Sequence, residues 1–249
     1  MPLFSIITIC YNAAETIERT LESVDCQTFG DYEHLIVDGA STDKTVDMVI
    51  ARANPRRRLI SERDNGLYDA MNKGIVNTSG KYLIFLNAGD KFHDSGILDA
   101  IAETISSNGS PGIVYGQTDI VDNNGCRIGP RHLSAPSTLT FRSFASGMLV
   151  CHQAFVALRR IAPKFDTGYR FSADYKWCVE CLKNSRCNVG LTDTVFIDYL
   201  NEGVTTKNRI PSLIERFKIM SFYYGFLPTV FRHAGFVFRA LKRRLTTSK

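Results

Sequence analysis

What most constrains this chain is a rhythm. A short apolar run ends abruptly in a cluster of polar residues, an amphipathic segment follows, and the pattern repeats. Phe4–Cys10 is the first run, as expected for a strand buried in a parallel sheet, and it ends in Cys10-Tyr11-Asn12. Asn12 is placed to cap a helix, with Glu15 as its capping-box partner and Ile17, Leu21 and Val24 on the buried face. His34–Val37 reads as a second strand, followed by Asp38-Gly39-Ala40-Ser41-Thr42-Asp43; Ser41 is placed to cap a helix carrying Val46, Val49 and Ile50. A third short strand, Leu59–Ser61, leads through Glu62-Arg63-Asp64-Asn65-Gly66 into a predicted helix over Leu67–Val76, with Tyr68, Met71 and Ile75 on one face. Tyr82–Leu86 is the fourth strand. It ends in Asn87-Ala88-Gly89-Asp90, before a helix with Ser95 as cap and Ile97, Leu98, Ile101 and Ile105 turned inward. This alternation predicts an α/β fold: a Rossmann-like, mixed but mostly parallel sheet flanked by helices.

The rhythm changes after Gly112. Ile113–Tyr115 and Thr118–Val121 read as short strands, residues 122–125 as a turn, and residues 126–150 as irregular loops. Ala173–Lys183 reads as a helix and Val195–Tyr199 as a strand; Ile210–Tyr224 and Thr229–Arg244 are amphipathic helical segments separated by Pro228. The expected division is a nucleotide-binding domain over 1–209 and a basic, amphipathic helical extension over 210–249. Beyond residue 208, nine Lys and Arg stand against one acidic residue, so the net charge of +5 conceals a mildly acidic body. A basic tail of this kind seeks an anionic partner. Its aromatics are spaced as amphipathic helices and not as a base-stacking platform, which argues against nucleic acid. Seven cysteines in no dense framework, among them the Cys178/Cys181 pair with Cys187 nearby, fit a reduced, cytoplasmic protein better than a zinc site. No signal peptide is expected. The longest apolar candidate, Ile219–Leu241, is interrupted by Pro228, Arg232, His233 and Arg239, so no membrane span is expected either.

In an open parallel sheet, ligands bind beyond the carboxyl ends of the strands. Here four successive strand ends carry polar clusters on what would be one rim. A carboxylate such as Asp38 can accept hydrogen bonds from a base or a ribose, Tyr11 can stack on a base, and Asp90 can ligate a divalent cation. Each residue alone has a plainer reading as a turn or cap, and for Asp38 the two readings are even; the four clusters together favour function. No G-x-G-x-x-G follows the first strand, which argues against a dinucleotide fold, and no G-x-x-x-x-G-K-[ST] occurs, so a P-loop is absent.

With these motifs, and with Asp64–Gly74, Cys151–Phe155, Ala173-Asp174-Tyr175 and Glu202–Thr206, the chain resembles glycosyltransferase family 2, which has the GT-A fold, from about Leu3 to Thr206. The likeness is greatest to the small bacterial enzymes of exopolysaccharide, colanic-acid and O-antigen synthesis. The resemblance implies that Thr8, Tyr11, Asn12, Asp38, Asp64, Asn65 and Asn87 bind the nucleotide and that Asp174 is the general base of an inverting transfer. It also implies a divalent metal, Mn²⁺ or Mg²⁺. The family's D-A-D-D segment here reads Asn87-Ala88-Gly89-Asp90, which leaves Asp90 as the one carboxylate ligand; His152 is a further candidate ligand, or simply a histidine bonded within its loop. Arg170 and Lys207 are candidates to assist the leaving group. The function so implied is transfer of a sugar, with UDP favoured by family prevalence, to a hydroxyl of a lipid-linked or oligosaccharide acceptor. The eroded metal segment leaves open a non-catalytic nucleotide-sugar-binding protein of the same fold. The tail, with Leu213, Phe217, Met220 and Tyr224 on one face and Phe231, Phe238 and Leu241 beyond Pro228, is expected to dock peripherally on the inner face of the cell membrane, unless its first helix packs against the domain instead.

Overall fold

The computed structural model describes residues 1–201 and 209–235. The Glu202–Thr206 motif, Lys207 and the tail residues Phe236, Phe238, Arg239, Leu241, Lys242, Arg243 and Arg244 lie outside the described residues.

The chain runs β1 (Phe4–Cys10), α1 (Ile17–Asp25), β2 (Tyr32–Asp38), α2 (Thr45–Ala51), β3 (Arg57–Ser61), α3 (Leu67–Val76), β4 (Tyr82–Phe85), β5 (Lys91–Phe92) and α4 (Ile97–Ser107). It continues through β6 (Ile113–Val121), β7 (Arg127–Pro130), β8 (Phe155–Leu158), α5 (Ala173–Asn184), β9 (Asn188–Leu200) and α6 (Arg209–Tyr224). Three short 3₁₀ turns, at Phe141–Ser146, His152–Ala154 and Arg159–Ile161, punctuate the second half. The strands form one mixed sheet in the order β3-β2-β1-β4-β8-β6-β9-β5, with β7 added on β6. The first four strands are all parallel. From β8 onward the pairing is mixed: β8 is antiparallel to both β4 and β6, and β6 is parallel to β9.

Register explains why the polar clusters meet. Cys10 pairs with Asp38, and Asp38 pairs with Ser61, so the first three strands end level. The apolar runs that predicted these strands are buried along their length, and Ile17, Leu21 and Val24 of α1 are buried as their spacing requires. Each fully buried side chain of this size contributes roughly 1.5–3 kcal/mol.

Several local expectations are corrected. Asn12 does not cap α1: it sits in a left-handed conformation (φ 48°), donates its N–H to Ser41 Oγ and accepts the Thr42 N–H, and the helix begins five residues later. Ser41 does not cap α2, because its hydroxyl bonds Asp38; the Asp43 carboxylate takes the Thr45 N–H instead. Ser95 does not cap α4; Asp94 accepts the Gly96 N–H at that helix start. In each case a side chain reaches across to another loop, or a neighbouring carboxylate competes better. Of the apolar residues on α2, Val49 is buried and Ile50 exposed, and the two short strands after Gly112 are one strand, β6, irregular in its pairing with β9 near Gln117. Strands β5, β7 and β8 were not anticipated. All three are of two to four residues, too short for a period to show.

Of the two alternatives for the first helix of the extension expected over 210–249, the described contacts are those of packing against the domain. Ile219 and Met220 of α6 are fully buried, Tyr223 donates to Glu180, and Tyr224 donates to the Phe141 carbonyl. Glu215 accepts the backbone N–H groups of Arg170 and Phe171, just before α5.

Candidate active site

The parallel half ends in two facing loops, residues 11–16 and 39–44, laced together by the Asn12–Ser41 and Asn12–Thr42 bonds and by Thr45 Oγ1 and Asp43, which accept the N–H groups of Ala13 and Ala14. Two of the three non-glycine residues with positive φ among the described residues, Asn12 and Ala40 (φ 63°), lie in these loops. Left-handed conformers in non-glycine residues cost of order 1 kcal/mol or more and collect at ligand sites.

Asp38 is the post that holds this arrangement. It is fully buried, and its carboxylate accepts the Ser41 N–H (2.9 Å), the Ser41 hydroxyl and the Ser61 hydroxyl (2.7 Å), with the Cys10 thiol at 3.6 Å. Burial, reinforced by the charge of Asp38, pushes the Cys10 thiol far up, so it stays protonated. Thr8 likewise lies beneath the rim, fully buried with Oγ1 2.9 Å from His34 Nε2. His34 in turn accepts from Arg57, which is paired with Asp25, and burial with the Arg57 charge drives its pKa down to about 3. Thr8 and Asp38 therefore face protein partners, and the open groups are others. Tyr11 is 63% exposed. Its ring lies over Gly39, where a Cβ would come within 3.4 Å of it and 2.6 Å from Asp64 Oδ2. Gly39 is thus the gap that lets Tyr11 and Asp64 converge. Asn65 is exposed, its N–H bound to Asp69.

A second cluster lies where β4 ends. Gly89 (φ 98°) turns the Asn87–Asp90 segment, and Thr20 of α1 clamps it by accepting the Gly89 N–H and donating to the Asp90 carbonyl. Asp90 is buried, accepting from the Leu200 N–H (2.7 Å) and from Gln153 Nε2 (2.5 Å); burial raises its pKa to about 6 against those bonds and the nearby His152 and Arg19 charges. Gln153 Oε1 simultaneously accepts the Asn87 N–H. The adjacent His152 has its Nδ1 3.5 Å from Asp174 Oδ2. Burial opposes charge on His152, yet Cys151, Asp174 and Asp90 together hold its pKa above the ordinary value. Asp174, in the first turn of α5, also accepts the Tyr68 hydroxyl (3.1 Å) and the Tyr175 N–H (2.8 Å), and remains partly open. Asn87, Asp90, His152 and Asp174, all singled out from the sequence, are thus brought together. Gln153, Tyr68 and Thr20 were not singled out as functional. Gln153 had a visible signal, a polar residue between Cys151-His152 and an apolar run.

Two buried atoms in this cluster, Asn87 Oδ1 and His152 Nε2, have no partner. Buried polar atoms are normally satisfied, so each of these has capacity for one further partner. Asn87 Oδ1 and the Asp90 carboxylate are oxygen donors of the kind a divalent cation takes. They do not make a free-standing metal pocket, since Asp90, His152 and Asp174 do not converge within 4.8 Å; among the described residues only His93, Asp119 and Asp198 do so. Those two aspartates are already neutralised by Lys91 and Arg127. Cys178 and Cys181 are free, buried thiols on α5.

A parallel α/β half with a polar rim, joined to a mixed half, is the GT-A architecture. Residues 5–163 match the Glycosyl transferase family 2 model, and the chain belongs to that family. It is a glycosyltransferase. A Mycobacterium bovis protein named PGL/p-HBAD biosynthesis glycosyltransferase is 35% identical over 190 residues, covering 74% of this chain and 71% of its own. An Escherichia coli protein, UDP-Glc:alpha-D-GlcNAc-diphosphoundecaprenol beta-1,3-glucosyltransferase WfgD, is 27% identical over 78% of this chain and 75% of its own. The fold matches S. aureus TarS residues 1–349, with a TM-score of 0.72 at 16% identity, covering 94% of this chain and 72% of that one. TarS has also been solved with UDP-GlcNAc. Among the described residues, no helix is long and apolar enough to cross a membrane.

Proposed function

We propose that this glycosyltransferase is inverting and moves a sugar from a UDP-sugar to a hydroxyl of a lipid-linked or oligosaccharide acceptor in surface polysaccharide synthesis. The observation that carries the reading is Asp174: partly open, aimed by Tyr68 and His152, and linked through His152-Gln153 to the Asn87–Asp90 segment. The donor base lies against Tyr11 and Asp64. The acceptor hydroxyl attacks the anomeric carbon as its proton passes to the Asp174 carboxylate. The new glycosidic C–O bond forms as the bond to the diphosphate oxygen breaks, and configuration inverts. A divalent cation at Asn87 and Asp90 would supply positive charge to the departing diphosphate. WfgD, named for a diphosphoundecaprenol acceptor, and TarS, solved with UDP-GlcNAc, support the choice of acceptor and donor classes. The test is a thermal-shift screen of nucleoside diphosphates with and without Mn²⁺, followed by transfer assays with the UDP-sugars that bind. A binder at one hundred times its Kd adds about 2.7 kcal/mol to stability. If no uridine nucleotide stabilises the protein while another base does, the donor assignment is wrong.

A further inference from the structure

We infer that the outer face of the hairpin made by α6 and the helical residues 226–235 is a docking surface for an anionic lipid bilayer, with Phe222, Phe226, Leu227, Val230 and Phe231 as the inserting side chains. This goes beyond the transfer reaction, and its test reads binding, not turnover.

Positions 226, 227, 230 and 231 fall on one arc of a helix, roughly 140° wide at 100° per residue. All four are exposed, and Phe222 is 79% and Phe231 75% exposed. On another side of the same helix Thr229 is fully buried, its hydroxyl bonded to the Gly225 carbonyl at the helix start. The hairpin is pinned by Phe217, whose ring packs edge-on against Phe226 (5.9 Å) and His233 (5.0 Å). Five large apolar side chains held outward on one small element are uncommon on a surface that stays in water.

Charge selects the occupant. In the sequence beyond residue 208 nine basic residues stand against one acid; of those the structure describes, Lys218 and Arg232 are exposed, while the acid, Glu215, is turned inward onto the Arg170 and Phe171 N–H groups. A second copy docking through this face would bring two such basic segments together. An anionic leaflet instead attracts them, with about 1 kcal/mol from each basic residue near the surface. Because Glu215 and the Ser212–Ser172 bond tie α6 to the segment just before Asp174, docking here would also orient the site relative to the bilayer. The face differs from the one helical periodicity selects, since Met220 and Tyr224 are turned into the domain.

The experiment is co-sedimentation of the full chain with vesicles of equal parts phosphatidylcholine and phosphatidylglycerol, and with phosphatidylcholine alone. It compares wild type, the combined variant F226S, L227S and F231S, and I128S as a control at an exposed apolar residue elsewhere. Wild type and I128S should pellet with the anionic vesicles, much less with the neutral ones, and less as salt rises. The triple variant should lose binding by roughly tenfold per aromatic removed. Unchanged melting temperatures would show that all three proteins are folded. Wild-type binding retained by the triple variant, or no wild-type binding at low salt, would overturn the inference. So would a wild-type dimer, by sedimentation velocity, that the triple variant abolishes without any vesicle binding.

Discussion

Asp38→Ala is the perturbation that best separates holding the donor site from touching the donor. The substitution removes one acceptor group from three donors: the Ser41 N–H, the Ser41 hydroxyl and the Ser61 hydroxyl. A buried donor left unsatisfied costs about 1–3 kcal/mol. The three costs do not simply add. Ser61 is exposed and Ser41 half-buried, so their hydroxyls re-bond to water, whereas the Ser41 N–H lies under the loop. With the void left by a fully buried side chain, the net loss is about 3 kcal/mol. For a chain of this size that lowers Tm by roughly 10 °C. The same loss frees the 39–43 loop, and with it Asn12 and the Tyr11 ring, so UDP affinity should fall in step. Tyr11→Ala and Asp64→Asn provide the contrast: the first side chain is exposed and the second has one bond, to the Gly66 N–H. They should weaken UDP at least tenfold with Tm shifted by about 2 °C or less. Calorimetric UDP titration and thermal melts of the three variants decide the matter. An Asp38→Ala protein that melts like wild type yet no longer binds UDP would refute the reasoning and make Asp38 a direct ligand.

Asp174→Asn should lower turnover by about 10²–10⁴-fold while UDP binds as in wild type; near-normal turnover would move the base elsewhere. Asp90→Asn should weaken Mn²⁺ binding measured in the presence of UDP far more than UDP binding measured without metal, and full activity in excess chelator would exclude the shared cation site. Glu33 accepts the Ser79 and Gly80 N–H groups and the Ser5 hydroxyl, and despite burial these bonds depress its pKa, as the Arg52, Asn54 and Arg57 contacts depress that of Asp25. For a depressed carboxylate the stability is present above the unfolded value, about pH 4, and is lost as pH falls through the folded one. Glu33→Gln should therefore flatten the acid limb of a urea-denaturation profile, and an unaltered slope would contradict the assignment. Ala40→Gly should raise stability by roughly 1 kcal/mol by relieving the left-handed conformer, with UDP affinity retained; a loss of stability in chemical denaturation would count against strain there.

The parallel half was legible in the chain itself. A strand buried on both faces needs an unbroken apolar run, a covering helix needs a period near 3.6, and both periods are local properties of consecutive residues. Hence β1, α1, β4 and α4 fall close to where apolar spacing puts them, and parallel pairing brings the polar ends of these runs to one edge of the sheet, level in β1, β2 and β3, with β4 ending opposite Ile7. The candidate residues of the second cluster, Asn87, Asp90, His152 and Asp174, were legible only as positions in a family pattern. That His152 and Asp174 stand 3.5 Å apart, and that Gln153 bridges Asn87 and Asp90, depends on the antiparallel entry of β8 beside β4. The Gln153 contacts join residues more than sixty positions apart and the His152–Asp174 contact residues twenty-two apart, and no local period encodes either. Tertiary structure likewise decided which polar groups are free. Thr8 and Asp38 carry the right chemistry for a nucleotide, but His34, Ser41 and Ser61 reach them first. In the tail, amphipathicity was plain from spacing, yet α6 has apolar residues on more than one face. Only the packing of Ile219, Met220 and Tyr224 against the domain settled which face turned in and which, with Phe222 and Phe226, was left outside.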